Sequence, residues 1–230
     1  MASGWFTSLP SKGNIRKIVR YLTLVFLTGL IGSARLQTGG TPGALHPIPD
    51  EYRVVCDTLL IQEGDVILRR GWALASDLIA RFFGHSSGMS HCGIVVHHQS
   101  RWQVIHTISG LISDQDGIRI TPLTDFIREA AGHQITVKRL RADFDSLAVR
   151  SHSFRYLQME IPFDHAFDLE NNSRLYCTEL IREVFIAAGL PDFFHYDSFA
   201  GKPILDFSTF FDQTLFLTVI QTEQKGSLPN

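Results

Sequence analysis

Two short apolar stretches in the middle of the chain constrain its fold more than any other feature. His91–His97 and Trp102–Ile108 have the length and residue content of β-strands, and a tight connection between them predicts an antiparallel hairpin. If the connecting loop has an even number of residues, Gly93 pairs with His106, and His91 and His106 are diagonal neighbours on one face. An odd loop would place the two histidines on opposite faces.

The segments around this hairpin predict an α+β fold. Late in the chain, Tyr176–Ala188 carries its apolar residues on one helical stripe and is followed by Gly189 and Pro191, which end helices. The other predicted elements are strands at 64–68, 118–121 and 134–140 and helices at 51–61, 72–83, 122–127 and 144–159. We therefore expect a central antiparallel sheet packed against helices.

The first 35 residues have the pattern of an export or anchoring segment. Basic residues between Lys12 and Arg20 precede an uncharged stretch at 21–32, which is followed by the small residues Ser33 and Ala34. The uncharged stretch is shorter than the roughly 20 residues of a membrane span, which favours cleavage after export. An uncleaved membrane anchor, or a helix of the folded domain, is the alternative.

The remaining chain divides into three parts. Residues 36–62 are a linker and lead-in with Gly, Pro and Thr, 63–215 form the folded domain, and 216–230 are a C-terminal tail. We expect an exported protein, periplasmic or anchored to a membrane through its N-terminus. The oligomeric state is left open.

Composition excludes several classes of protein. Hydrophobic residues make up 44% of the chain, enough for a packed core, and 21 basic against 23 acidic residues give no basic footprint for nucleic acid. Three cysteines do not form a disulfide framework, and no zinc-ligand spacing is present. Strand alternation separates Cys92 and His98 from His91 and His97, so neither a metal site nor a cofactor is expected.

Cys177 stands at the predicted start of the last helix. A helix N-terminus presents unpaired N–H groups and the positive end of a dipole, both of which stabilise a thiolate. The residue alone is compatible with a reactive nucleophile or with an inert buried cysteine. His91 favours the first interpretation, because a strand-borne histidine can accept the thiol proton. His106 is then the candidate that orients the imidazole.

An ordered set of motifs resembles one known family, the YiiX-like permuted papain-like amidases of the NlpC superfamily. The motifs are Gly64-Asp65, Ser90-His91-Cys92-Gly93, Val104-Ile105-His106, Ile161-Pro162-Phe163-Asp164 and Leu175-Tyr176-Cys177-Thr178-Glu179, within residues 60–210. In that family the histidine precedes the cysteine in the chain, as it does here.

The resemblance implies a role for each matching residue. Cys177 is expected as the nucleophile, His91 as general base and acid, and His106 as the orienting residue. Tyr176, Asp164 and Phe163 are expected to line the substrate site. Relatives of the YiiX type often have an acidic residue at the position of His106, whereas the related lecithin retinol acyltransferase group has a second histidine there.

These expectations define a cysteine hydrolase that cleaves an amide, peptide-like bond or an acyl bond through an acyl-enzyme. A lipid or lipoprotein acyltransferase or thioesterase of similar fold is the alternative, and a non-catalytic binding module is the second. The expected partner is a small molecule, a peptide or a lipid. Phenylalanines near the C-terminus fit either a core or a lipid pocket, and a core is the commoner use of such residues.

Overall fold

The computed structural model describes residues 58–71, 87–110, 113–199 and 201–222. The N-terminal segment, most of the lead-in and the helix predicted at 72–83 lie outside these ranges. Within them, no helix has the length and apolar content needed to cross a membrane.

Eight strands lie in the described ranges. They are β1 Val66–Arg69, β2 His91–His98, β3 Arg101–Ile108, β4 Gly117–Pro122, β5 Ile135–Leu140, β6 Tyr196–Phe199, β7 Lys202–Leu205 and β8 Phe216–Gln221. Six of them form an antiparallel sheet in the order β4-β3-β2-β1-β5-β8, and β6 pairs with β7 separately. The described part of the chain therefore has the central antiparallel sheet that the sequence predicts.

Strand β8 corrects one predicted boundary. It pairs with β5 along its length, with Phe216 opposite Leu140, although the sequence assigns residues 216–230 to a tail. The buried Phe216 side chain ties this strand to the core. The folded domain thus extends at least to Gln221.

Helices pack on both faces of the large sheet. The described helices are α1 Leu123–Arg128, α2 Ser146–Gln158, α3 Cys177–Ala187 and α4 Ser208–Phe211, with short 3₁₀ helices at Thr58–Leu60 and Ala131–His133. The start of α2 is capped by Asp145, whose carboxylate accepts hydrogen bonds from the N–H groups of Leu147 and Ala148.

The β2–β3 hairpin has the even loop that the sequence left open. Gln99 and Ser100 form a two-residue turn, and their φ values of 50° and 60° are those of the primed turns that match the twist of paired strands. Ile94 is paired with Ile105. This register brings His91 and His106 to the same face of the sheet.

One face of the sheet, the α3 face, packs against α2 and α3. Its buried apolar residues form a single cluster with the inner side of α3, and the cluster includes Leu68, Ile94, Ile105, Leu180 and Val184. The opposite face, the α1 face, has a smaller cluster that includes Ile67, Val95, Val104, Leu123 and Phe126. Successive residues of each strand alternate between these two clusters, as the pleat requires.

Gly93 allows β2 and β3 to approach closely beside the histidines. A Cβ atom at this position would lie 2.5 Å from Cγ1 of Val104 and 2.9 Å from Cβ of His106. The space that a side chain would occupy is filled by the β3 side chains. The glycine is therefore needed where His106 packs across the hairpin.

Candidate active site

The first turn of α3 is anchored by its N-terminal neighbours. The Tyr176 N–H donates to Oε2 of Glu179 at 3.3 Å, which caps the helix, and the Tyr176 hydroxyl oxygen accepts from the N–H of Leu205 at 2.7 Å. The preceding carbonyl, of Leu175, accepts a hydrogen bond from Oγ1 of Thr107 on β3 at 3.2 Å. These bonds fix Cys177 at the helix start, beside the sheet.

The sulfur of Cys177 is surrounded by hydrogen-bond donors. Hydrogen bonding from the Cys92 thiol and from the backbone N–H groups of Cys92 and Thr178 acts on this sulfur. The bond from the Cys92 thiol is the largest of these influences, and together they lower the pKa of Cys177 despite burial, which raises it. The Cys177 thiol is therefore more acidic than an ordinary cysteine, although its residue surface is only 8% exposed.

Cys92 is the neighbour that sequence reasoning missed. Burial, followed by the proximity of Cys177, raises its pKa well above the ordinary value for a thiol, so Cys92 keeps its proton and donates it. The alternation of β2 correctly placed Cys92 opposite His91. That pattern did not reveal that α3 would bring a second cysteine onto the same face.

The two predicted histidines are in direct contact. Nε2 of His91 lies 2.8 Å from Nδ1 of His106, and the rings meet edge to face with centroids 4.9 Å apart. Both rings also pack on Phe126 of α1. His106 is fully buried, whereas His91 is partly exposed at the start of its strand.

The second nitrogen of His106 has two neighbours of different character. Its Nε2 lies 2.9 Å from Oγ1 of Thr121 and accepts a hydrogen bond of 3.4 Å from Nε of Arg119. Because an arginine Nε–H can only donate, this contact favours a proton on Nδ1 of His106, which then points at His91. Thr121 can donate or accept, so it is compatible with either tautomer.

A row of basic side chains crosses four neighbouring strands on the α1 face. Arg69 is paired with His91, and His106 is paired with Arg119. Burial is the main reason that the pKa values of both histidines lie well below the ordinary value, and the charges of the two arginines lower them further. Both imidazoles are therefore neutral at neutral pH.

Glu129 is the acidic partner of this row. Its Oε2 accepts from Nη1 of Arg69 at 2.7 Å and lies 3.9 Å from Nη2 of Arg119. Arg69 also donates to the carbonyl of Phe126 and lies over its ring, with 4.3 Å from Cζ to the centroid. The Glu129 carboxylate thus offsets the positive charge of the two arginines rather than contacting a histidine.

The histidines and the nucleophile candidate lie on opposite faces of the sheet. Cys177 belongs to the α3 face and the His91 ring packs on the α1 face, yet Cys92, the direct neighbour of His91, contacts the Cys177 sulfur. Among the described contacts, none joins the His91 ring to that sulfur. The structure therefore brings His91 to His106 and Cys177 to Cys92, with both pairs at the same end of β2.

The predicted lining residues lie in the segment that leads to Cys177. Phe163 forms an isolated bridge with Leu175, and the buried Asp164 carboxylate accepts hydrogen bonds from the N–H groups of Ala166 and Asp168. Tyr176 is also buried. These contacts shape the approach to the nucleophile, and the contact of the three side chains with substrate stays a prediction.

Glu179 carries a buried carboxyl group behind the nucleophile. Burial is the main reason that its pKa is raised to about 8, and the nearby carboxylates of Asp164 and Glu183 contribute. Its Oε1 is buried without a hydrogen-bond partner in the described structure. The group is therefore largely protonated at neutral pH and adds little negative charge near the thiolate of Cys177.

The fold and this constellation define a class of protein, a papain-like cysteine hydrolase in which the histidines precede the cysteine along the chain. Residues 60–206 match the family described as permuted papain-like amidase enzyme, YaeF/YiiX, C92, and the chain belongs to that family. The predicted family and fold are thereby confirmed.

A solved structure gives the same fold. The crystal structure of metalloprotein yiiX from Escherichia coli O157:H7 matches with a TM-score of 0.59 and 18% sequence identity, over 70% of this chain and 97% of that one. A search of curated proteins gives no match.

Proposed function

We propose that this chain hydrolyses amide bonds of peptide-like substrates through an acyl-enzyme on Cys177, with His91 as base and acid and His106 as its orienting residue. One observation carries the proposal: the Cys177 sulfur lies at the first turn of a helix and accepts hydrogen bonds from the Cys92 thiol and from backbone N–H groups. Membership of an amidase family supports the bond type.

In the acylation step the Cys177 thiolate attacks the substrate carbonyl and the amine leaves with a proton. Backbone N–H groups that now face the sulfur, those of Cys92 and Thr178, are suited to hold the oxyanion. Nδ1 of His91 accepts the Cys177 thiol proton as the sulfur attacks and passes that proton to the leaving amine. It then removes a proton from the water that releases the acyl group and returns it to the Cys177 sulfur. Its ring must approach the sulfur for this, and such contacts commonly tighten only when substrate is bound.

The proton needs a defined route through the histidine pair. Because Nε2 of His91 faces His106, Nδ1 is the nitrogen for the reacting proton. A free Nδ1 on His91 requires its proton to sit on Nε2 and to be donated to Nδ1 of His106. His106 then carries its own proton on Nε2 and donates it to Thr121 across the shorter contact of 2.9 Å. This tautomer gives up the longer, 3.4 Å hydrogen bond from Arg119, which favours the proton on Nδ1.

No step of this mechanism is assigned to a metal. The yiiX structure is described as that of a metalloprotein, but the described residues of this chain contain no group of three or more His, Cys, Asp or Glu side chains arranged to hold an ion. The residues at this site do not fit a metal centre.

The burial of phenylalanines near the C-terminus favours peptide-like substrates over lipids. Phe194, Phe207 and Phe210 near the C-terminus are buried in the α3-face cluster, where they form core rather than a lipid pocket. A peptide-like substrate also suits the exported location that the N-terminal sequence predicts. Acyl transfer to another acceptor remains the alternative outcome of the test.

The test is the intact mass of the full-length protein after incubation with a peptidoglycan digest or, separately, with a lipid extract. We expect a peptide-derived acyl adduct on wild-type protein and on Cys56→Ala, and none on Cys177→Ala. An adduct that persists in Cys177→Ala would overturn the nucleophile assignment. A fatty-acyl adduct would instead identify a lipid acyltransferase or thioesterase, and no adduct from either source would favour a binding module.

A further inference from the structure

Cys92 and Cys177 form a pair of thiols, whereas the proposed hydrolysis uses one of them, Cys177, as its nucleophile. Both are buried in the α3-face cluster, where α3 packs on β2, and neither is in a disulfide. Hydrogen bonding between the Cys92 thiol and the Cys177 sulfur accompanies this packing. They come from different elements, the second position of β2 and the first position of α3, which are far apart in sequence. The acyl-enzyme forms on a single sulfur, so a second thiol beside it offers a reaction that hydrolysis does not use.

We propose that Cys92 is the resolving thiol of a peroxide-sensitive modification site, which captures oxidised Cys177 as a reversible Cys92–Cys177 disulfide. The inference rests on the proposed role of Cys177 as the reactive thiolate and adds a regulation of that same site. The donor groups around the Cys177 sulfur favour the form that peroxides oxidise, and the adjacent thiol is placed to react with the product.

The chemistry balances in two steps. The Cys177 thiolate attacks a hydroperoxide oxygen, the O–O bond breaks, and sulfenic acid forms as hydroxide or alkoxide leaves. The Cys92 sulfur then attacks the sulfenic sulfur, an S–S bond forms, the S–O bond breaks, and the oxygen departs as water with the Cys92 proton. Two electrons pass from the two sulfurs to the peroxide, and an added dithiol returns them.

The burial of Cys92 and Cys177 favours reaction between these two residues over reaction with external thiols. Cys177 is 8% exposed and Cys92 is fully buried, so a small peroxide reaches the first sulfur while a bulky external thiol is excluded from the second. Because Cys92 and Cys177 lie in one buried cluster where α3 packs on β2, the resolving step joins two elements that are already in contact. The disulfide would occupy the nucleophile and stop acylation until it is reduced.

The experiment uses the full chain with Cys56 replaced by serine, so that Cys92 and Cys177 are the remaining thiols. This protein is treated with hydrogen peroxide, its free thiols are alkylated, and its peptides are identified by mass spectrometry. We expect a cross-linked pair of peptides containing Cys92 and Cys177. Incubation with dithiothreitol should restore alkylation of both residues.

The matched variants replace Cys92 by serine, or by alanine, in the same Cys56→Ser background. Without a resolving thiol, Cys177 should proceed to sulfinic acid, and the fraction recovered by dithiothreitol should fall at least about tenfold. Two variants are used because either alone can perturb folding, which circular dichroism monitors. Equal recovery with and without Cys92, or no cross-linked peptide in the parent, would overturn the inference.

The measurement is separate from that of the proposed function, because it uses no substrate. A Cys177 acyl adduct without a disulfide would retain the hydrolase and reject the redox site. A disulfide without any acyl adduct would retain the redox site and reject the hydrolase.

Discussion

The two faces of the central sheet prepare the two halves of the site by different means. On the α3 face, hydrogen-bond donors converge on the Cys177 sulfur and lower its pKa. On the α1 face, burial and two arginines lower the pKa values of His91 and His106, which opposes an imidazolium. The difference indicates that thiolate formation depends on its own donors rather than on an ion pair with histidine.

This separation differs from a triad in which an acid supports the histidine. A carboxylate beside His106 would raise the pKa of the pair, whereas here the carboxylate of Glu129 binds the arginines. The lowered pKa of Cys177 and the lowered pKa values of the histidines therefore have separate causes on the two faces. The independence of the two faces is open to test with variants on each face.

The largest effect is expected for His91→Gln. Loss of the proton-transfer group should reduce the rate of acyl-enzyme formation on the order of 10²–10⁴-fold. If the faces are independent, the pH dependence of Cys177 alkylation should hardly change. His97→Gln, at the exposed far end of β2, is the control. A marked rise in the alkylation pKa would instead establish a thiolate–imidazolium pair.

A smaller loss, about tenfold, is expected for Thr121→Val, which removes the hydroxyl to which His106 donates in the proposed reactive tautomer. Arg119 would then hold His106 in the tautomer protonated at Nδ1, in which His91 is a poor base. Nitrogen-15 NMR of the imidazoles reads the tautomer directly. Thr121→Ser should retain both rate and tautomer, and an unchanged spectrum in Thr121→Val would exclude this role.

Arg119→Gln tests the electrostatics of the α1 face. Burial is the larger cause of the lowered histidine pKa values and stays in place, but removing the arginine charge should raise both values. Since the base is lost as pH falls through the folded-state pKa, the acidic limb of the rate profile should move to higher pH. The exposed Arg128, paired with Asp125, supplies the control Arg128→Gln, which should leave that limb in place.

The smallest effect concerns stability and Glu179. Its pKa of about 8 exceeds the ordinary 4.5, so the folded state binds the proton more tightly than the unfolded chain. The carboxyl's contribution to stability is therefore complete below pH 4.5 and declines as pH rises towards 8. Glu179→Gln should not show this decline. Its free energy of unfolding relative to wild type should therefore increase by about 1 kcal/mol from pH 5 to pH 8.

Urea unfolding at both pH values measures that difference in the free energy of unfolding. Glu170→Gln, which changes an exposed carboxylate, should follow the wild-type curve. A wild-type protein whose stability does not fall towards pH 8 would show that Glu179 is ionised in the folded state.

The sequence was sufficient for the elements with a strong apolar pattern. The β2–β3 hairpin and α3 lie where alternation and helical periodicity predict them, and the contact of His91 with His106 follows from the pairing register. The resemblance to a family added the order of histidine and cysteine. These features depend on neighbours along the chain or on one hairpin.

The features that were missed depend on contacts between distant elements. Cys92 meets Cys177 only because α3 packs on the face to which β2 directs Cys92, and periodicity does not specify which helix covers which face. The ion pair of Arg69 with Glu129 likewise joins β1 to the end of α1. The edge strand β8 lacks a clear alternation of burial, so its sequence resembles a tail.

The two-residue turn at Gln99 and Ser100 fixes which residues of β2 and β3 lie opposite each other. With Ile94 opposite Ile105, His91 and His106 share one face of the sheet. A residue added in the turn leaves this pairing intact, because the loop absorbs it. A residue added within β2 or β3, between the turn and a histidine, directs that histidine towards the thiols unless a bulge forms. The strand segments between the turn and the histidines are therefore the part of the hairpin that least tolerates insertion.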